Sequence, residues 1–173
     1  MSKESIADKV VSKMYNHDGF SQWLGIERLH VSEGTCTLRM TVRKDMLNGF
    51  GMAHGGITYS LADSALALAS NSHGRMSVSV ETNISHTKSV KEGDVITAVA
   101  EQLSLTDKIG VYHVTVKNQA DEIVALFKGT VYRTPRCGKF SLLSQKSVPI
   151  AKGIRSQNSI CEMVSLKNLT RRA

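Results

Sequence analysis

The chain has 173 residues, 41% of them hydrophobic, enough apolar material for one domain with a full core and too much for a disordered chain. Its net charge of +7 is not spread evenly: eight of the 22 basic residues and one of the 15 acidic ones lie in 135–173, which leaves 14 of each in the first 134 residues. The excess belongs to a tail, so the body is not expected to bind nucleic acid.

Residues 2–16 place Ile6, Val10, Val11 and Met14 at helical spacing, and the segment lacks the apolar stretch of a secretory signal. HDGF at 17–20 reads as a turn. Strands are expected over 23–31 and 34–43, the second alternating as TCTLRMTVR. A glycine-bearing loop covers 44–53. The run HGGITYSLADSALALASNSHG at 54–74 then predicts a helix apolar nearly all round, hence buried on most sides. Extended runs follow over 76–89, 94–105, 110–118 and 122–133, separated by turn residues. Four successive strands imply an antiparallel meander. A sheet that must bury one central helix gives an α+β hotdog architecture over 1–134. Residues 135–173 show no period and read as a flexible basic tail.

No run approaches about 18 apolar residues, so no membrane-spanning helix is expected. Cys36, Cys137 and Cys161 form no C-x-x-C pair, and His17, His30, His73, His86 and His113 show no ligand spacing. Neither disulfides nor a metal is expected, and a reducing cytoplasm is the simplest compartment. There is no G-x-S-x-G elbow and no nucleotide-binding fingerprint.

The chemistry-bearing segment is Asn48 to Asp63. Gly55 and Gly56 open the buried helix, where unpaired N–H groups and the positive end of the dipole can meet a carbonyl oxygen at close range. Asp63 is a carboxylate inside an apolar helix, an expensive placement unless it is paired or faces a cavity. Alone it reads as readily as a structural cap. It lies eight residues beyond Gly55, about 12 Å along the axis. It cannot easily act on a carbonyl held at its own helix start. An antiparallel helix from a second subunit brings the two together, so a site shared across a two-fold dimer is expected.

The run NGFGMAHGG…SLADSA is similar to the signature of PaaI-like hotdog thioesterases, where Asn, His-Gly-Gly and Leu-Ala-Asp recur at this spacing, and the likeness covers roughly residues 15–134. The resemblance implies hydrolysis of acyl-coenzyme A without a cofactor, coenzyme A thioester being the substrate. It makes Asp63 nucleophile or general base and the Gly55 N–H the carbonyl donor. Asn48 would orient water or thioester, His54 would hold the loop or contact the thioester, and Ser79 would assist. The coenzyme A groove would use His86, Thr87, Lys88, Lys91, Lys108, Ile109, Gly110 and Arg133. Family members often carry Pro where this chain has Lys88-Ser89. Phe50, Met52, Tyr59 and Leu61 would line a pocket for an aryl or medium-chain acyl group. A homodimer is required, and pairing into a homotetramer is expected by analogy. Two other functions fit such a body: an acyl-coenzyme A sensor without turnover, and a hydratase or dehydratase of acyl thioesters.

Overall fold

The computed structural model describes residues 5–137. Helix α1 (Ile6–Asn16) starts at Ser5, whose hydroxyl accepts the Asp8 N–H at 3.0 Å, and it buries Ala7 and Val11. The segment read as a turn at 17–20 instead opens a second short helix, α2 (Gly19–Leu24). Its cause is local. The Asp18 carboxylate takes the N–H groups of Phe20 (3.1 Å) and Ser21 (3.0 Å), and Gly25, at φ +72°, ends the helix in the left-handed region. Strand β1 (Glu27–Ser32) consequently begins later than the sequence predicts.

Strand β2 (Thr35–Thr41) buries Cys36, Leu38 and Met40 on one face and leads through a 3-10 turn at Lys44–Met46 into the loop before helix α3 (Gly55–Asn71). Strands β3 (Arg75–His86), β4 (Val95–Leu105), β5 (Ile109–Lys117) and β6 (Ile123–Cys137) complete one antiparallel sheet in the order β1-β2-β4-β5-β6-β3. Only β4, β5 and β6 form the expected meander. β3 lies at the far edge, beside β6. The β3–β4 connection, residues 87–94, is too long for a tight hairpin. It crosses instead past the start of α3, where Ala53 N–H donates to Val90 O at 2.8 Å and Val90 is buried.

The sheet curls around α3. Leu61, Ala62, Ala65, Leu66, Leu68 and Ala69 are buried among the inward residues of the strands, including Ile96, Ala98, Tyr112, Val114 and Phe127. Small residues let the layers approach closely: a methyl group on Gly129 of β6 would fall 2.4 Å from Leu66 Cδ2. Asn71 closes the helix by clasping Ser77, accepting its N–H at 2.9 Å and donating to its C=O at 3.1 Å. β6 runs three residues beyond the boundary expected at 134. The remainder of the basic tail lies outside the described residues, as do Cys161 and the side chain of Cys137. No described helix is long and apolar enough to cross a membrane, and the described residues contain no cluster of metal-ligating groups.

Candidate active site

The loop before α3 is folded by Asn48. Its side-chain oxygen accepts from Phe50 N–H (2.9 Å) and Met52 N–H (3.3 Å), and its backbone N–H donates to Met52 O at 2.7 Å. The oxygen of this amide is thus committed to the loop, which leaves the NH₂ end as its contribution to a ligand. The loop carries Phe50 at its tip, 88% exposed. His54 caps α3: its Nδ1 accepts the Gly56 N–H at 3.0 Å, which requires the tautomer with the proton on Nε2. The Gly55 N–H finds no acceptor among the described residues. Two glycines, one satisfied amide and one unsatisfied amide therefore sit at the positive end of a 17-residue helix.

A cleft of about 270 Å³ opens there, lined by Met52, Ala53, Gly55, Thr58, His86, Thr87, Lys88, Ser89 and Val90. A larger concavity, about 640 Å³, lies on the outer face of β4 and β5 between Arg39, Glu101, Lys117 and Asp121. Three of these four charges are engaged, Arg39 with Glu27 at 2.6 Å and Lys117 with Asp121 at 2.8 Å. The smaller cleft is the better candidate because it holds the free amide.

Asp63 lies on the outward side of α3, half-buried, with Gly56, Ser60, Ser64 and Ala67. No hydrogen-bond donor among the described residues reaches its carboxylate, and burial raises its pKa above the ordinary 3.8. A neighbouring cation or donor would have lowered it. Its level along the sheet is bracketed by Tyr59, whose hydroxyl meets Thr82 Oγ1 at 2.6 Å, and by the Asn71–Ser77 clasp. Ser79 is exposed on β3 within that bracket, and not in the cleft at Gly55.

The expected acyl-pocket residues separate. Met52 lines the cleft, Phe50 projects from the loop, and the Tyr59 ring packs edge-on against Phe127 with centroids 5.5 Å apart. Leu61 does not belong with them. It is fully buried in the core between α3 and the sheet, on the opposite side of the helix from Gly56 and Asp63. Sequence reading missed Thr58, 2% exposed and lining the cleft. It stands three residues after Gly55, on the same helix face, so helical spacing alone could have found it.

With this geometry the chain matches the thioesterase superfamily over residues 50–125. It is 38% identical to acyl-coenzyme A thioesterase PaaI of Escherichia coli, over 69% of this chain and 86% of that one. The solved structure of the E. coli PaaI protein, from the phenylacetic acid degradation operon, superposes with a TM-score of 0.76 at 35% identity, covering 79% of this chain and 99% of that one. A hypothetical thioesterase of Streptococcus pneumoniae, solved with coenzyme A, reaches a TM-score of 0.67 at 27% identity, over 70% and 95% of the two chains. The chain belongs to the thioesterase superfamily.

In this thioesterase the residues expected to form the coenzyme A groove fall into two groups. His86, Thr87 and Lys88 line the cleft, with Thr87 Oγ1 donating to Ile123 O at 2.7 Å and Lys88 paired with Glu122 at 2.6 Å. Lys91 follows in the same crossing loop and is exposed. Lys108, Ile109, Gly110 and Arg133 lie at the other end of the sheet. Arg133 N–H donates to Lys108 O at 2.8 Å, and the Arg133 guanidinium donates to Thr106 O at 2.7 Å while its Nε is buried without an acceptor. Gly110 serves packing, since a methyl there would come within 2.9 Å of the Tyr112 ring. On β3 the first group is level with His86, paired with Ala125, and the second with Ser77, paired with Arg133. Nine residues of strand are about 30 Å, so the structure does not bring the two groups together within one subunit. Glu122 was not foreseen as the partner of Lys88, because a pair 34 residues apart leaves no local signal.

Proposed function

We propose that this thioesterase hydrolyses acyl-coenzyme A to a carboxylic acid and free coenzyme A at sites shared between two copies of the chain. The observation that carries the reading is Asp63 itself: a half-buried carboxylate without a hydrogen-bond donor, its pKa raised by burial, on the outward face of the helix whose first amide is free. Those two groups are about 12 Å apart along one helix. They meet only when two α3 helices lie antiparallel, and the small residues Gly56, Ser60 and Ala67 beside Asp63 permit that approach.

The sheet supports the same two-fold. β3 is an edge strand with Met76, Val78 and Val80 exposed by 42%, 42% and 58%, an apolar edge that a monomer would have to protect. Antiparallel pairing of two β3 strands about a point near Val80 sets the His86 end of one beside the Arg75 end of the other. The two groove groups, 30 Å apart in one chain by the strand estimate of about 3.3 Å per residue, then meet across the dimer. The half-cleft of about 270 Å³ is below the few hundred Å³ of usual small-molecule sites, which a second subunit would complete.

In the reaction, the Gly55 N–H of one subunit takes the thioester oxygen as it gains charge, and Asp63 of the other acts on the carbonyl carbon. As a base it removes a proton from water, the hydroxide adds, the C–S bond breaks, and the proton passes to the sulfur. As a nucleophile it forms a mixed anhydride and releases the thiolate, and water then cleaves the anhydride. Asn48 offers its NH₂ group to water or thioester, His54 holds the loop, and Ser79 stands level with Asp63. Lys88, Lys91, Lys108 and Arg133 meet the phosphates. Phe50, Met52 and Tyr59 face an aryl or medium-chain acyl group. The dimer pairs again into a tetramer and works in the cytoplasm without a cofactor.

Mixed dimers test this. Asp63→Asn and Gly55→Pro each abolish one half of the chemistry. Proline is tolerated at a first helical position and removes the N–H, the extended His54 (φ −60°, ψ 135°) accepts a following proline, and the His86 ring, 3.2 Å from the added Cβ, has to give by a few tenths of an ångström. Each variant alone should be inactive in coenzyme A release. Refolded together at equal amounts they should recover about a quarter of wild-type activity, because half of the dimers are mixed and each holds one intact site. No recovery from dimers shown to be mixed would refute the shared site.

A further inference from the structure

We propose that His86 is a positioning residue that braces the Gly55–Gly56 peptide at the start of α3 and, through the shared Gly55 Cα, limits how far the Gly55 N–H can turn away from the thioester oxygen. The inference rests on the hydrolase reading above and gives His86 a role beyond lining a coenzyme A groove. Three observations meet at this residue. Its Nε2 lies 3.2 Å from Gly55 O. A carbonyl only accepts, so Nε2 carries the proton and the ring donates. The ring also lies over Gly55: a methyl group placed there would come within 3.2 Å of Cε1 and 3.5 Å of Nε2. Finally, His86 is a wall of the cleft that contains the free amide.

The need for a brace follows from the local sequence. Gly55-Gly56 is the most permissive dipeptide available, and helix ends fray. Its freedom lets a ligand oxygen come close, but a donor that wanders stabilises a transition state poorly. Two histidines from different elements restrain it from opposite sides. His54 accepts from Gly56 N–H, and His86, at the end of β3, donates to Gly55 O. The first ties the turn to its own cap and the second ties it to the sheet. Because β3 is also the edge proposed to pair with a second subunit, the brace places the donor in the frame in which the partner's carboxylate arrives.

The test compares His86→Phe, which keeps a ring and loses the donor, with His86→Gln, whose amide N–H₂ can reach Gly55 O again. Both are made in the full chain and assayed for coenzyme A release on an acyl-coenzyme A that the wild type turns over. The Phe variant should lose about tenfold in kcat, the worth of one misaligned donor, with KM within about twofold and thermal stability unchanged. The Gln variant should regain most of the loss. Amide exchange at Gly56, whose N–H is held by His54, read by NMR without substrate, should quicken in the Phe variant and return in the Gln variant. An undiminished kcat in the Phe variant, a loss confined to KM, or unaltered exchange would overturn the proposal. If the wild type hydrolyses no acyl-coenzyme A, the hydrolase reading falls, and the exchange data still decide whether His86 restrains the helix start.

Discussion

Replacing Asp63 by Asn should remove catalysis and make the protein more stable at neutral pH. The carboxylate has no donor among the described residues and its pKa is raised by burial. Between the unfolded-state pKa and the higher folded-state value, the folded protein therefore holds more protons than the unfolded chain. Stability contributed by this group accordingly falls as pH rises through that window, and above it the whole penalty is present. Asn has the same shape without the charge. Keeping a half-buried carboxylate ionised without a partner costs about 1 kcal/mol more than a neutral amide of the same shape, at the low end of the usual range. Removing that cost should raise Tm at pH 7 by about 3 °C in a domain of this size. At pH 3, where Asp63 is protonated in both states, the two proteins should melt together. Activity should fall by about 10² or more, as for a lost general base or nucleophile. The assays are coenzyme A release with a thiol reagent and thermal unfolding at both pH values. Wild-type turnover in the Asn variant would refute the catalytic role. A lower Tm at pH 7 would show instead that the carboxylate accepts a structural bond and is held for stability.

Other outcomes follow from the same geometry. The acid limb of kcat/KM in the wild type should have its midpoint above the ordinary aspartate value of 3.8, because Asp63 must be ionised to act; a limb at or below that value would contradict the burial argument. Gly129→Ala would drive a methyl to 2.4 Å from Leu66 Cδ2 and should destabilise by about 1–3 kcal/mol in urea titration. Val80→Lys puts a charge on the free edge of β3 and should yield folded monomers by sedimentation, inactive because each holds only half a site. A single turnover in ¹⁸O-water followed by mass spectrometry tests the nucleophile role: label in the Asp63 carboxylate, left by water attack on the aspartyl carbonyl of the anhydride, shows that the anhydride formed.

Much of this was written locally in the chain. The unusual apolarity of 54–74 reads directly as a helix enclosed by a sheet, and a lone carboxylate in it stands out for the same reason. The α2 helix was also legible in principle, in Asp18 as cap and Gly25 as stop, but a six-residue helix has too little period to compete with a turn reading. Leu61 was misplaced because a helix apolar nearly all round has no preferred side in sequence; only packing shows which face meets Ile96 and Val114 and which is open. The position of β3 was hidden in another way. Strand order depends on where an eight-residue connection (87–94) goes, and that is settled by contacts such as Ala53 with Val90, far apart in the chain. The division of the groove residues is a further consequence, since it depends on the register of β3 against β6.

The placement of Asp63 and the Gly55 amide on one helix gives a physical reason for the shared site proposed above. A carboxylate in the first turn of α3 would feel the helix dipole and the free amides directly, and its pKa would be lowered. The amides would also be occupied by the carboxylate and lost to the thioester. Asp63, more than two turns further along, is beyond that influence, and burial raises its pKa as a base requires. The Gly55 amide stays free for an oxygen that becomes negative only as the reaction proceeds. Bringing the groups together through a second copy keeps them close to the substrate and away from each other. One chain could do the same only by placing donor and base on separate elements, and with both on the single central helix the proposed dimer would supply that separation.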